Sequence, residues 1–133
     1  MGRSAQVGGI AMKILVIDDS KVMRAIVKRT LRQAGFGGHE ILEASNGQDG
    51  YDKVIANNPD LVLCDWNMPE MNGIDLLNKL RKEGNETSFG FVTSEGTAEM
   101  RDLASNSGAL FLITKPFTAE DFESNLGPVL NAA

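Results

Sequence analysis

Carboxylate, hydroxyl and amino side chains stand at or just past the ends of four separate apolar runs of this 133-residue sequence. They are Asp18 and Asp19, Asp65, Thr93 and Lys115. A carboxylate can attack phosphorus and form an aspartyl phosphate, and catalysis then consists mainly of positioning the reactants and neutralising the transferring group. A lysine and a hydroxyl donor are suited to the second task. If the fold brings these side chains together, their types favour phosphoryl transfer to a carboxylate.

The acidic side chains also predict a cation site. Carboxylates held within a few ångströms of each other repel, and each tends to protonate unless positive charge is supplied. Lys115 supplies one positive charge against the carboxylates of Asp18, Asp19 and Asp65. Mg²⁺ can supply the rest, because it binds one or two carboxylates and completes its shell with waters and a phosphoryl oxygen. We therefore predict Mg²⁺ as the cofactor.

The elements that must position these residues alternate regularly. Apolar runs typical of buried strands cover residues 14–17, 61–64, 89–92 and 110–113, and a half-polar run typical of an edge strand covers residues 40–44. Apolar residues at helical spacing follow each run. This alternation predicts a three-layer α/β domain, with a parallel sheet covered by helices on both faces and right-handed connections. The carboxyl ends of the strands then meet at one edge, where the polar residues gather.

Composition sets limits on partners and location. The net charge of −5 is mild and dispersed, which argues against a nucleic-acid-binding surface. No apolar run approaches the roughly 20 residues that a membrane span needs. The single cysteine, Cys64, lies in the most apolar run, which predicts core packing in a reducing compartment. We expect a cytoplasmic protein with no membrane or direct nucleic-acid contacts.

The length allows one domain. Residues 1–11 contain three glycines and no periodicity, whereas residue 12 begins a strand pattern. We predict a flexible N-terminal extension over residues 1–11 and a single folded domain over residues 12–133.

A basic stripe runs along the first predicted helix, formed by Lys21, Arg24, Lys28 and Arg32. Residues at these spacings share one side of a helix. Such a stripe is either a solvated face or a docking surface, and the sequence leaves both interpretations open.

Four motifs, taken in order from residue 12 onward, resemble the receiver domains of bacterial two-component response regulators. They are Val16-Ile17-Asp18-Asp19-Ser20, Asp65-Trp66-Asn67-Met68-Pro69 followed by Met71-Asn72-Gly73, Val92-Thr93-Ser94-Glu95, and Thr114-Lys115-Pro116-Phe117. Within that family the chain is most similar to single-domain chemotaxis regulators of the CheY type. The resemblance implies the flavodoxin-like (βα)5 fold with strand order 2-1-3-4-5, an order known for CheY itself and not deduced from the spacing.

The resemblance assigns a phosphoacceptor and a metal site. It implies that Asp65 accepts a phosphoryl group from the phosphohistidine of a sensor histidine kinase or a phosphotransfer protein. It also implies that Asp18, Asp19, Asp65 and the backbone carbonyl of Asn67 hold the Mg²⁺. The basic stripe fits the face that the family presents to its kinase.

The resemblance further implies how the modification is sensed and removed. Lys115 pairs with the carboxylate and then with the phosphoryl group, and the Lys115-Pro116 bond is cis. The Thr93 hydroxyl moves to bond a phosphoryl oxygen and shifts the loop that follows. Asn67 and Glu95 occupy the positions that tune how fast water removes the phosphoryl group. The expected function is that of a messenger whose partner binding switches with phosphorylation, and which catalyses only its own phosphorylation and dephosphorylation.

One residue departs from the family pattern. A Tyr or Phe usually stands three residues before the lysine and acts as a rotamer switch, whereas here that residue is Leu112 and the aromatic is Phe111. Neighbouring residues in a strand face opposite ways, so Phe111 cannot simply take over. We hypothesise that activation depends on the loop from Thr93 to Gly96 more than on residue 112.

Three other functions compete with this interpretation. A haloacid-dehalogenase-type hydrolase has Asp-x-Asp after its first strand, whereas the residue two past Asp65 is Asn67. A flavodoxin needs a hydroxyl- and glycine-rich phosphate loop where this chain has Asp18 and Asp19, which would repel a phosphate. A receiver-like interaction module that works without phosphorylation remains the main alternative. The intact acidic set argues against it, and the missing aromatic argues mildly for it.

Overall fold

The computed structural model describes residues 11–131, so the predicted extension over residues 1–11 lies almost wholly outside the described residues. Strands and helices alternate along the described chain. The strands are β1 (Lys13–Ile17), β2 (Glu40–Ala44), β3 (Leu61–Cys64), β4 (Ser88–Thr93) and β5 (Phe111–Thr114). The helices are α1 (Lys21–Gln33), α2 (Gly47–Asn57), α3 (Gly73–Lys82), α4 (Ala98–Asn106) and α5 (Ala119–Leu130).

The strands form one parallel sheet in the order β2-β1-β3-β4-β5. This confirms the predicted α/β class and the flavodoxin-like order. The half-polar β2 lies at one edge, as its sequence predicts. Every residue of the central strand β3 is buried, because helices cover both faces of the sheet.

The sheet separates two hydrophobic cores. On one side, α2, α3 and α4 contribute buried side chains that include Val54, Leu77 and Ala104. On the other side, α1 and α5 contribute Leu31 and Phe122. The strands that carry the candidate site are therefore packed against helices on both faces, and their carboxyl ends are held rigidly relative to each other.

The bounds of β5 and the exposure of one leucine in α4 differ from the sequence pattern. The sequence predicts a strand over residues 110–113, whereas β5 spans Phe111–Thr114. Leu110 is 54% exposed and Leu103 of α4 is 47% exposed, so neither belongs to the core. Pairing between β4 and β5 runs from Gly90 opposite Phe111 to Thr93 opposite Thr114. Register with the neighbouring strand, and not hydrophobicity, thus sets the limits of β5.

Two expectations from composition can be compared with the described residues. Cys64 is fully buried in β3, which confirms its place in the core. Burial raises the pKa of its thiol well above the usual value, so the thiol stays protonated. Over residues 11–131, no helix has the length and apolar character needed to cross a membrane.

Gly73, the first residue of α3, allows this helix to approach the end of β3 closely. Its amide donates a hydrogen bond to the carbonyl of Trp66 at 2.8 Å. A Cβ at this position would overlap the carbonyl oxygen of Asp65 and lie 2.8 Å from Cε1 of Phe91. The first contact is with backbone, so no side-chain rotation can relieve it. Gly73 thereby helps to keep the main chain of Asp65 in place.

We expect Gly73→Ala to destabilise the protein by about 1–3 kcal/mol, since the added methyl group must displace the main chain at Asp65. Gly50→Ala is the matched comparison, because a Cβ there meets mainly Cδ1 of Ile17, the end of a flexible side chain. Urea denaturation of both variants measures the difference. Equal losses for the two variants would contradict the role of the backbone contact.

Candidate functional site

Backbone hydrogen bonds extend the parallel ladder one residue past the strand ends and fix the predicted site residues. The amide of Asp65 donates to the carbonyl of Ile17 at 2.9 Å, and the amide of Lys115 donates to the carbonyl of Thr93 at 2.8 Å. The amide of Asp18 donates to the carbonyl of Ala44 at 3.1 Å. The main-chain positions of these residues are therefore set by the sheet itself.

Lys115 joins the two buried carboxylates. Its Nζ lies 3.0 Å from Oδ2 of Asp18 and 3.6 Å from Oδ2 of Asp65. Asp18 is 4% exposed and Asp65 is 8% exposed. The sheet thus brings residues 97 positions apart in the chain, Asp18 and Lys115, into a direct ion pair.

The three aspartates are arranged as a cation site. One carboxylate oxygen each from Asp18, Asp19 and Asp65 can be chosen so that all lie within 4.8 Å of one another. Asp19 is exposed to solvent, while the other two aspartates are buried. All the donors are carboxylate oxygens, the ligand type that Mg²⁺ prefers. The residues present therefore fit a hard divalent cation.

The pKa of Asp65 is raised above the usual carboxyl value. Burial is the main cause, because it disfavours the charged form, and the nearby carboxylate of Asp18 acts in the same direction. The ammonium group of Lys115 opposes both but does not outweigh them. Asp65 consequently sits in a site short of positive charge.

Asp18 is held by four hydrogen bonds, including the backbone bond to Ala44 described above. One carboxylate oxygen accepts from the amide of Ser20 at 2.8 Å, and the other accepts from Lys115. Its carbonyl accepts from Nη1 of Arg24 at 2.7 Å. Neither the backbone nor the side chain of Asp18 is free to reorient.

The contact from Arg24 was not predicted from the sequence. The Nε of Arg24 also donates to Glu43 at 2.9 Å, and Nζ of Lys28 donates to the other carboxylate oxygen of Glu43 at 2.7 Å. These two bonds, that of Lys28 before that of Arg24, lower the pKa of Glu43. Arg24 and Lys28 are therefore occupied within the molecule, whereas the exposed members of the basic stripe include Lys21 and Arg32. A basic residue one turn into a helix is too common a pattern to have revealed this role.

Thr93 lies at the end of β4 and is fully buried. Its hydroxyl makes no hydrogen bond of good geometry among the described residues, although it lies near enough to Asp65 to lower the pKa of that carboxyl slightly. A buried hydroxyl without a partner is costly, and such groups call for an explanation such as a ligand.

Beyond Thr93, the side chain of Glu95 accepts a hydrogen bond from Nδ2 of Asn67 at 3.2 Å. The two residues predicted to tune dephosphorylation thus meet at the exposed rim of the site, while the backbone-carbonyl role of Asn67 stays a prediction.

Leu112 and Phe111 point to opposite faces of the sheet, as alternation predicts. Leu112 is 8% exposed and packs in the core that includes Trp66 and Ala104. Phe111 packs on the α1 and α5 side, where its ring covers Gly90 and leaves no room for a side chain there. The aromatic ring of Phe111 therefore has no access to the position of Leu112. The predicted cis bond between Lys115 and Pro116 is present.

A surface groove of about 730 Å³ lies between the start of α2 and the loop after β3. Its lining includes Asp49, Asp52 and Glu70 but none of the predicted site residues. The candidate site is therefore identified by its chemical grouping and not by this groove.

Comparisons with known proteins place the chain in a family. Residues 14–126 match the family described as "Response regulator receiver domain". The chain is 39% identical over 122 residues to the chemotaxis protein CheY1 of Helicobacter pylori, an alignment that covers 90% of this chain and 97% of that protein. It is 40% identical over 122 residues to a chemotaxis protein CheY homolog of Campylobacter jejuni, with 90% and 92% covered.

Solved structures agree with these relatives. The structure of the chemotaxis protein CheY4 of Vibrio cholerae has a TM-score of 0.80 and 29% identity, and the match covers 91% of this chain and 100% of that chain. A response regulator receiver domain protein from Clostridium thermocellum has a TM-score of 0.79 and 30% identity, with 92% and 96% covered. The chain belongs to the response regulator receiver family, whose members are phosphorylated on an aspartate.

We expect Asp65→Asn to be more stable than the parent protein at pH 7 in buffer without divalent cations, by a few degrees in the unfolding midpoint. The raised pKa means that the fold favours the protonated carboxyl, so this contribution is present below the unfolded pKa and is lost as pH rises through the folded pKa. The difference between variant and parent should disappear below about pH 3.9, where the unfolded chain is protonated too.

Thermal unfolding between pH 3 and pH 8 tests this expectation. Asp102→Asn, on the exposed surface of α4, is the control for removing one negative charge. A variant at residue 65 that is no more stable than its parent at pH 7 would contradict the charge argument.

Proposed function

We propose that the chain accepts a phosphoryl group on Asp65 from the phosphohistidine of a sensor histidine kinase or a phosphotransfer protein, in a Mg²⁺-dependent reaction that switches partner binding. The observation that carries the proposal is the ion-paired cluster at the carboxyl edge of the sheet. There Nζ of Lys115 lies 3.0 Å from Asp18 and 3.6 Å from Asp65. The carboxylates of Asp18, Asp19 and Asp65 approach within 4.8 Å of one another.

The reaction is a displacement at phosphorus. A carboxylate oxygen of Asp65 forms the new bond to phosphorus while the bond from phosphorus to the donor imidazole nitrogen breaks, and the electron pair stays on that nitrogen. Asp18, Asp19, Asp65 and the backbone carbonyl of Asn67 would hold Mg²⁺, which would supply positive charge to the carboxylates and the phosphoryl oxygens. The ammonium group of Lys115 then pairs with the phosphoryl group.

Thr93 acts on the phosphoryl group as it is transferred, and the rim residues act afterwards. The hydroxyl of Thr93, which makes no hydrogen bond of good geometry among the described residues, donates to a phosphoryl oxygen and draws the following loop with it. Asn67 and Glu95, joined at 3.2 Å, stand at the exposed rim and tune the access of water to the acyl phosphate. The protein catalyses only its own phosphorylation and dephosphorylation.

The relatives support a proposal for the physiological setting. Both compared relatives with 39–40% identity are chemotaxis proteins, so we propose a cytoplasmic messenger of the CheY type. The exposed Lys21 and Arg32 of α1 are the members of the basic stripe available to contact a kinase. Arg24 and Lys28 are engaged by Glu43. The output partner is a protein that distinguishes the two states.

Intact-mass measurement after incubation with a small phosphodonor tests the proposal. With Mg²⁺ we expect a gain of one phosphoryl group, and we expect none in the presence of a chelator or in Asp65→Ala. Asp19→Asn should lower the rate by at least about tenfold, because it removes a ligand and its charge. Absence of any gain under all conditions would support the interaction module that works without phosphorylation.

Arg24 should affect the cation site through the main chain of Asp18. We expect Arg24→Lys to weaken Mg²⁺ binding by about three- to tenfold, since an ammonium group keeps the charge but cannot bridge Glu43 and the Asp18 carbonyl as a planar guanidinium does. The matched control is Lys28→Arg, which also preserves charge and contacts Glu43 but not Asp18. Fluorescence of Trp66, the only tryptophan and the neighbour of Asp65, reports binding. Equal affinities in the two variants would refute the positioning effect.

A further inference from the structure

Arg101, the fourth residue of α4, connects the loop after β4 to strand β5. Its Nε donates to the carbonyl of Gly96 at 3.2 Å, and its Nη1 donates to the carbonyl of Leu112 at 3.1 Å. A guanidinium group is planar and presents its donors in a fixed fork. The two carbonyls are thus held at a defined separation by one rigid group.

The loop over residues 94–97 is restrained at three points. At its end, the side chain of Thr97 caps α4 by accepting from the amide of Met100 at 3.1 Å. In its middle, Glu95 accepts from Asn67, and Gly96 is bound by Arg101. These bonds fix the loop that begins directly after Thr93.

The loop also packs closely on the side chains of β5 and of Arg101. A Cβ on Gly96 would lie 2.5 Å from Cγ2 of Thr114, 2.9 Å from Nη2 of Arg101 and 3.2 Å from Cδ2 of Leu112. Gly96 therefore packs directly against β5, and the guanidinium group of Arg101 packs against the same residue and binds its carbonyl.

We infer that Arg101 is a positioning residue that holds the loop over residues 94–97 in its resting place and thereby slows phosphorylation of Asp65. This inference rests on the proposed function, because it concerns the loop that Thr93 must move. The side chain of Leu112 is buried in the core. Its carbonyl instead connects β5 to the loop over residues 94–97, by accepting the hydrogen bond from Arg101.

The loop over residues 94–97 has a resting position and a shifted position, and the hydrogen bonds from Arg101 favour the resting one. When the hydroxyl of Thr93 bonds a phosphoryl oxygen, the loop shifts, and the carbonyl of Gly96 shifts relative to that of Leu112. A rigid fork cannot keep both bonds across such a shift, so the move costs at least one of them. Because the loop shifts as the phosphoryl group is transferred, any interaction that favours the resting loop raises the free energy of that step and slows it.

The test compares Arg101→Ala, Arg101→Lys and Arg81→Ala with the parent protein. Arg81 makes the same kind of bridge elsewhere, from Nη1 to the carbonyl of Asn85 at 2.9 Å and from Nη2 to the carbonyl of Gly108 at 3.1 Å. It is therefore a matched control for losing a guanidinium bridge and its charge. Phosphorylation by a small donor with Mg²⁺ is followed by intact mass at a temperature where all four proteins are folded.

We expect Arg101→Ala to be phosphorylated about three- to tenfold faster than the parent, as the loss of one or two hydrogen bonds allows. The phosphorylation rate of Arg101→Lys should lie between those of the parent and Arg101→Ala, because an ammonium group can bond one carbonyl but cannot bridge two. Arg81→Ala should match the parent. An unchanged or slower rate in Arg101→Ala, or an equal increase in Arg81→Ala, would overturn the inference.

Amide hydrogen exchange of the unmodified proteins separates this inference from the proposed function. Faster exchange at residues 94–97 in Arg101→Ala, but not in Arg81→Ala, supports the positioning role whether or not the parent is phosphorylated. Unchanged exchange refutes that role. A parent that takes up no phosphoryl group refutes the proposed function independently.

Discussion

The crowding of three carboxylates at one edge of the sheet is the constraint on which the rest of the structure depends. Asp18 and Asp65 are buried, and with Asp19 they lie close enough to share one ion. Their charges repel and their desolvation is unfavourable. Lys115 offsets only part of this, as the raised pKa of Asp65 shows. Such a site persists because the parallel ladder fixes the main chain beneath it.

The loops above this edge are held by side chains that bind main-chain carbonyls. Arg24 of α1 binds the carbonyl of Asp18, and Arg101 of α4 binds the carbonyls of Gly96 and Leu112. The first contact is anchored by Glu43 and has a guanidinium side chain only 14% exposed. The second lies at the surface, where α4 buries only Ala104. The largely buried contact from Arg24 suits an acidic cluster that must stay rigid. The exposed contact from Arg101 suits a loop that must move.

The basic face of α1 is divided by the same network. Arg24 and Lys28 share the carboxylate of Glu43 on the edge strand β2. Partly exposed ion pairs of this kind contribute little to stability, so their value here is chiefly geometric. They leave Lys21 and Arg32 on the exposed surface of the helix. One stripe in the sequence therefore serves two purposes, internal support and a charged surface.

The sequence by itself determined how strands and helices alternate along the chain. Strands buried on both faces of a parallel sheet require continuous apolar runs, and helices require apolar residues spaced by three and four. It also indicated which residues gather at the carboxyl edge, since each stands at the end of its strand or just after it. Only the tertiary structure decided that Arg24 reaches the carbonyl of Asp18, that Arg101 bridges Gly96 and Leu112, and that Leu110 lies outside the core. These features depend on register and on side chains meeting main-chain atoms distant in sequence. Backbone carbonyls are the same at every residue, so no pattern of residue types specifies which of them an arginine binds.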